Sequence, residues 1–440
     1  MRNVDIINGN LKKSLIQMAF PLMILNVFNS LYGLVDTFFV GKIGELAVGA
    51  ISLVTPVLWC ALSIANGLAA GCTAIVSFRY GAQEYDKASS YSWQILYISL
   101  IFILILTIST FVCSDWILVY LKAPVEIYKD SFNYLRILSF DYLGLFLITI
   151  YMAIMQSCGN SKSGMIVSAM ASIFNIILDP LLIFGFSLSV KGAAIATVIS
   201  KWIVIPYILY SLFHHPQLKP YFHIHLKDSF EILKLSLPCA IGQFLESLGF
   251  VLMNKYIVYY GAVAMSGYGI GEKLTNLYNI PVIAFSNVLP AFIGQNLGAE
   301  KKERARQSYR YTMWITTILS FALLFIGIAW MKPSILLFVP DASSSLLSIT
   351  STFVFFTLLT GPFCTWYFNL CAVFNGSGHT FISFLLSILR LWGTRIPLIL
   401  LFFQYTDLGI MGIWISMLLS NIITGCIAQI LYWIYPWTKK

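Results

Sequence analysis

Charge is what this chain has least of. Its 440 residues carry 18 acidic and 27 basic side chains, and charged residues make up 10% of the whole. A soluble domain carries roughly 25%, so there is too little polar surface to cover a water-exposed body of this size. Segments of ~10 residues that alternate apolar and polar, as in an outer-membrane barrel, are missing too. There is no GxxxxGKS/T phosphate loop, no HExxH and no Ser/His/Asp arrangement, so neither ATP hydrolysis nor another enzyme activity is expected. The eight cysteines form no CxxC pair, and most sit in apolar runs, as small buried hydrophobes do. His214, His215, His223 and His225 cluster without a metal-ligand spacing. The first fifteen residues, MRNVDIINGNLKKSL, are polar and hold no cleavable signal pattern.

What is present is apolar length. Mean hydropathy is +0.82. Runs such as ILYISLIFILILTISTFVC (95–113) are long enough to cross a bilayer as helices, which satisfy their own backbone groups. Windows of about 20 residues give about twelve spans. They cover approximately 15–40, 46–78, 91–113, 132–155, 164–186, 192–212, 231–257, 263–293, 311–331, 346–374, 381–403 and 408–434. The second and eighth are long and marked by Gly and Pro, so a bend or a short loop is expected in each. With both termini in the cytoplasm, about sixteen Lys and Arg fall on inner segments and about six on outer ones. Lys12, Lys13, Arg79 and the stretch KKERARQSYR (301–310) are on the inner side. The net charge of +9 is then an orientation signal, and nucleic acid is not needed to explain it.

The chain repeats itself. Pro21 in QMAFPLMI matches Pro238 in KLSLPCAI, at an offset of 238 − 21 = 217. Gly44 and Gly261, Ala47 and Ala264, and Pro180 and Pro397 keep the same offset, and YGAQEYDKA (80–88) lies over LGAEKKERA (297–305). The repeat predicts two six-helix halves, 1–213 and 230–440, joined by a polar cytoplasmic segment, 214–229. Six spans being even, both halves enter the membrane in the same direction.

Few charges lie within the spans, and each is costly there without a partner, a wet cavity or a proton. Asp36 sits in SLYGLVDTFFVGKIG and Asp179 in FNIILDPLLIFG. Asn175, four residues before Asp179, shares its helix face. Thr197 in the next span can face the same space. Two carboxylates, an amide and a hydroxyl suit two uses. Close carboxylates in low dielectric do not both ionise easily, which makes a proton site. Hard oxygen ligands equally suit a small cation such as Na⁺. The bland alternative for each Asp is a helix cap or a pair with a buried Lys such as Lys201. Pro21, four turns before Asp36, is a candidate hinge or a static kink. In the second half Glu246 is the strongest candidate acid. Glu272 follows, as a local pair with Lys273 or a functional acid; Asp141, near the start of a span, reads equally as a boundary residue or as a further intramembrane acid; Arg390 and Arg395 are partners for the acids or snorkel to an interface. Phe28, Tyr32 and Phe38 are cavity candidates able to hold flat cations. The glycines of NGLAAGCTA (66–74) read as sites of close helix approach.

Taken together, D-x-x-F-V-G-x-x-G from Asp36 to Gly44, then GLAAG, YGAQ, the LPC…E…G of the second half, QNLGAEKKERA, and the CGNSKS and NGSGHT turns resemble the multidrug and toxic compound extrusion (MATE) transporters, prokaryotic DinF-like branch. The resemblance implies an all-α membrane protein of twelve helices in two pseudo-symmetric bundles arranged as a V. It implies a monomer in the cytoplasmic membrane, without cofactor, exporting organic cations against H⁺ or Na⁺. It also implies ion coupling at Asp36, Asn175, Asp179 and Thr197. Other branches carry an acid in the tenth span where this chain has Asn369, so first-half coupling is favoured. A lipid-linked oligosaccharide flippase of the same superfamily is the rival, kept alive by Arg390 and Arg395; a passive channel is disfavoured by the two-fold repeat.

Overall fold

The computed structural model describes residues 3–121, 123–340 and 343–438; the side chains of Leu34, Asp36, Thr37, Glu45, Ala262 and Phe338 lie outside that description. The described residues form helices and connections and contain no strand. The first bundle holds α1 (Leu11–Ile43), α2 (Glu45–Gly81), α3 (Tyr85–Val112), α4 (Ser114–Tyr120), α5 (Val125–Leu138), α6 (Asp141–Ser157), α7 (Ser161–Pro180) and α8 (Ser189–Phe213). The second holds α9 (Leu226–Tyr259), α10 (Ala262–Gly298), α11 (Lys302–Phe338), α12 (Ser344–Gly376), α13 (Thr380–Ile388), α14 (Ile396–Tyr405) and α15 (Ile410–Ile434). Among the described residues eleven helical segments are long and apolar enough to cross a membrane, and α5 with α6, bent by 45°, makes a twelfth when the pair is counted as one span.

Local sequence sets several starts. Asn10, Asn160 and Ser343 cap α1, α7 and α12, each side-chain oxygen accepting a backbone N–H three residues on. The two halves correspond element by element: α1 to α9, α2 to α10, α3 with α4 to the unbroken α11, α5 with α6 to α12. Backbone residues with positive φ repeat as well: Gly44 and Gly261, then Gln83 and Glu300, keep the offset of 217. Gly159 and Gly378 stand at 378 − 159 = 219, because the connection between the third and fourth spans differs in length. Pro180 and Pro397, at 217, are therefore two residues out of the local register.

Two expectations about helix shape change. Spans two and eight contain neither a loop nor a break: α2 and α10 are continuous despite Pro56, Pro281 and Pro290. Proline is tolerated in membrane helices where neighbours satisfy the freed carbonyl. The break falls instead at Ser139–Phe140, between α5 and α6, where there is neither Gly nor Pro. There Thr107 of α3 donates to the Ser139 carbonyl (3.0 Å) and Trp202 of α8 donates to the Phe140 carbonyl (3.1 Å). Tertiary contacts thus hold the carbonyls that the bend leaves open.

The bundles meet through α2 against α9 and, by pseudo-symmetry, α10 against α1. Gly67 packs on the backbone of Ala240 and Gly71 on Ser236, so neither position has room for a Cβ. This is the small-residue approach expected from NGLAAGCTA. At the end bearing Arg79 and 301–310, α2 and α10 touch directly, Gly81 against Gln295 and Gly298 against Phe78. The N-terminal segment straps that end: Val4 N–H bonds to the Gly159 carbonyl, while Arg304 donates to the carbonyls of Ile6 and Gly9. At the other end, Gly33, Gly44, Gly261 and Gly269 have open space beside them. The bundles are thus in direct contact at the basic end.

Candidate functional site

In the first bundle α7 and α8 bring three polar residues together. Asp179 is fully buried and Asn175, one turn earlier, is 2% exposed. With the Asn175 amide turned to satisfy both neighbours, its nitrogen donates to Asp179 Oδ2 (2.7 Å) and its oxygen accepts from the Thr197 backbone N–H (3.2 Å). Thr197 Oγ1 also donates to the Ala193 carbonyl (3.0 Å). Asp179 closes α7 immediately before Pro180 and a π-helical turn, Leu181–Gly185. Extra-wide turns of this kind are frequent at functional sites. Asp36, the fourth member expected, lies in α1, which packs along α7; its side chain is outside the described residues. Pro21 is buried within a continuous α1, 15 residues before Asp36. Carboxylate, amide and hydroxyl oxygens grouped away from water suit a proton or a small hard cation.

Lys201 does not pair with Asp179. Its Nζ binds Asp141 Oδ2 at 2.5 Å, and Asp141 is 6% exposed. Asp141 is therefore a buried partner at the α5–α6 bend rather than a boundary residue. The signal was available: Lys201 stands alone in an apolar span, and an intramembrane cation needs a carboxylate.

Between the bundles lies a cavity of about 840 Å³. It is bounded by α1, α2, α6, α9, α10, α12 and α13. Glu246 and Glu272 line it, with amides from Asn26, Asn66, Gln243 and Asn254. Aromatic surface comes from Trp59, Phe250, Tyr268, Tyr367 and Phe368. Sequence reasoning found the two acids and missed these amides and rings, which carry no motif. Phe28, Tyr32 and Phe38 are not among the lining residues; Phe38 is 57% exposed, with the Lys42 ammonium 4.5 Å from its ring. Nearness to Asp36 in sequence does not turn a helical side chain inward.

Behind the wall, Arg390 forms an ion pair with Glu246 and lies over the Tyr367 ring at 4.4 Å. Arg395 is held by neutral groups, donating to Ser420 Oγ (3.0 Å) and Asn421 Oδ1 (3.3 Å). Both arginines sit in the π-helical segment Leu389–Arg395, and neither lines the cavity. No ion pair joins Glu272 to Lys273. Asn369 is also off the cavity, accepting from Ser286 (2.7 Å) and donating to Thr316 (2.8 Å). Among the described residues no three His, Cys, Asp or Glu side chains form a metal cluster.

The MatE family model matches residues 21–181 and 238–401, one stretch in each half. The chain is 24% identical to the probable multidrug resistance protein NorM of Thermotoga maritima, over 98% of this chain and 94% of that protein. It is 26% identical to the probable multidrug resistance protein YoeA of Bacillus subtilis, over 90% and 88%. Against the multidrug export protein MepA of Staphylococcus aureus it is 28% identical over 66% and 65%. Among solved structures, an outward-facing multidrug resistance MATE family transporter of the MOP superfamily superposes with a TM-score of 0.94 at 22% identity, over 100% of this chain and 99% of that one. A MOP superfamily transporter from Pyrococcus furiosus, described as having a binding pocket of reverse polarity, gives the same score, identity and coverage. Two bundles in this order, with a cavity between them, are thus a shared fold, and matches in both halves carry the assignment: the chain belongs to the MatE family of transporters, which are not enzymes.

Proposed function

We propose that this multidrug efflux transporter is a cation-coupled antiporter that moves lipophilic, mostly cationic organic compounds out across the cytoplasmic membrane. The observation that carries the reading is the separation of two polar sites in an apolar body. Asn175, Asp179 and Thr197 form a small buried cluster in the first bundle, while Glu246 and Glu272 face a wide aromatic-walled cavity. A cluster of that size suits H⁺ or Na⁺, and the cavity suits a larger organic cation. Coupling then follows from differential affinity: the state closed at the basic end binds the ion and releases substrate, and the ion-loaded protein returns to reload. Asp36, placed on the helix beside α7, completes the ion site in this reading, and Pro21 lets α1 bend. The basic end faces the cytoplasm, both termini lie there, and the protein works as a monomer.

The flippase reading needs positive charge facing a phosphate-bearing substrate. Arg390 and Arg395 are that charge, but they stand behind the wall, and the cavity surface carries the two acids. The test is efflux of a fluorescent organic cation from proteoliposomes under an imposed pH or Na⁺ gradient. Gradient-driven efflux in wild type, lost in Asp179→Asn and Asp36→Asn, supports the proposal and names the ion. Efflux unchanged in both variants moves coupling to Glu246. Absence of cation efflux from wild type, with movement of a lipid-linked sugar, installs the flippase.

A further inference from the structure

A second cavity, of about 240 Å³, lies on the outer wall of the first bundle, between α3, α5 and α8. We propose that it binds an anionic membrane lipid, with the headgroup phosphate on Arg136 and an acyl chain in the slot. The site is separate from the central cavity, and the inference does not depend on the transport reading.

The walls are apolar: Ile137 and Phe140 on one side, Ile195, Val198 and Ile199 on the other, with Trp202 at the deep end. Arg136 is the one charged lining residue among those described. At roughly 30 Å³ per small group, the liquid-volume share of a water, the slot has room for about eight methylenes.

Arg136 is a cation to which the described residues supply no counter-charge. Its guanidinium lies 3.9 Å from the Phe111 ring centroid and 5.2 Å from that of Phe132. Among the described residues no carboxylate lies within ion-pairing distance, and its buried Nε has no hydrogen-bond partner. Three other cations within the bundles are provided for: Lys201 has Asp141, Arg390 has Glu246, and Arg395 has Ser420 and Asn421. An unpaired charge at membrane depth is costly, and a phosphate meets a guanidinium with two parallel charge-assisted bonds.

The depth is right for a headgroup. Glu126, Lys129 and Asp130 in the first turns of α5 mark the water boundary. Arg136 comes six residues after Asp130, ~9 Å along a helix axis, and a long cationic side chain reaches back toward the interface. Phe111 is the penultimate residue of α3, at the same level. From Ile195 to Trp202 the α8 wall runs seven residues further inward, ~10 Å. The slot therefore runs along the membrane normal, charged at the interface end and apolar below. Its floor is the α5–α6 bend, where Trp202 bonds the Phe140 carbonyl.

The test is native mass spectrometry of the protein released from bilayers of equal phosphatidylglycerol and phosphatidylcholine. Wild type is expected to retain one phosphatidylglycerol in preference to phosphatidylcholine. Arg136→Gln should lose that preference by about tenfold, the loss of one good charge-assisted pair. Arg136→Lys should keep part of it, since lysine preserves charge but not the planar fork. Ile199→Trp, which fills the slot, should lose retention of either lipid there. Thermal melting identifies a variant that fails to fold, and the others then carry the test. An unchanged phosphatidylglycerol preference in Arg136→Gln, or in Ile199→Trp, overturns the proposal. Displacement of the lipid preference by millimolar glycerol phosphate also overturns it, in favour of a site for a free anion.

Discussion

Glu246 holds its carboxylate between two environments, the cavity in front and Arg390 behind. Arg390 is 4% exposed and its Nε lacks a hydrogen bond. Removing one member of a buried pair strands the other, which costs about 3–5 kcal/mol, whereas replacing both with apolar side chains is often close to neutral. Arg390→Met should therefore lower the melting temperature strongly, and the double variant Glu246→Met, Arg390→Met should recover most of the loss. If the single and double variants melt alike, the pair is not what holds this part of the wall. His215, in the connection before α9, is a residue outside the membrane with a readable titration. Burial holds its imidazole below the ordinary histidine range, and Nδ1 accepts from the backbone N–H of Leu218 (3.0 Å) and lies 3.3 Å from that of Gln217. Because the folded form binds the proton less well than the unfolded one, this residue's contribution is full above about pH 6.5 and is lost as pH falls through the folded value. Hydrogen exchange of residues 214–225 should therefore quicken as pH drops below 6.5, after correction for intrinsic rates. His215→Ala should flatten that dependence.

At the scale of the element, the bend between α5 and α6 depends on its neighbours. Thr107→Val leaves the Ser139 carbonyl without the bond that α3 supplies, a cost of about 1–3 kcal/mol for a buried acceptor. Lowered thermal stability with faster exchange confined to α5 and α6 is the expected result; an unchanged protein would mean that the carbonyl finds another donor. The same bend marks the limit of what the sequence discloses. Apolar length located all twelve spans, because a helix in lipid must be apolar whatever it packs against. Asn175 and Asp179 were legible as one helix face because four residues make about one turn. Glu246 and Glu272 were legible because charge is costly in a membrane. Ser139 and Phe140, by contrast, have no local reason to break a helix; the reason lies in Thr107, Trp202 and the Asp141–Lys201 pair, all distant in sequence. The prolines of α2 and α10 suggested a loop as the alternative to a bend, and there is no loop, since neighbouring helices offset what the prolines break. Asn66, Gln243 and Asn254 could not be told from packing residues until the cavity gave them a surface.

Across the whole molecule, the two bundles touch where the basic residues gather. α2 and α9 lie closely packed through Gly67 and Gly71, and α10 and α1 repeat that contact. Any motion that opens the basic end must separate Gly81 from Gln295 and Gly298 from Phe78, and release Arg304 from the carbonyls of Ile6 and Gly9. The central cavity then changes its exit while the buried cluster of the first bundle stays intact within one body. In the antiport proposed above, an ion and a substrate would compete through shape, with no shared ligand between them.

The parallel repeat has a consequence for how the chain is made. Because each half begins and ends on the same face, neither needs the other to set its direction of insertion. The joint, 214–225, lies against α3 through hydrogen bonds from Gln94 and Tyr97 to the carbonyls of His223 and Tyr221. Those contacts are non-covalent and should survive a nick at the Pro216–Gln217 bond. Co-expressed as two polypeptides, 1–216 and 217–440, the halves should insert separately, co-purify and restore efflux, while either alone should give none. During synthesis the ribosome would then deliver two finished pieces in succession, the second assembling on a partner already in the bilayer.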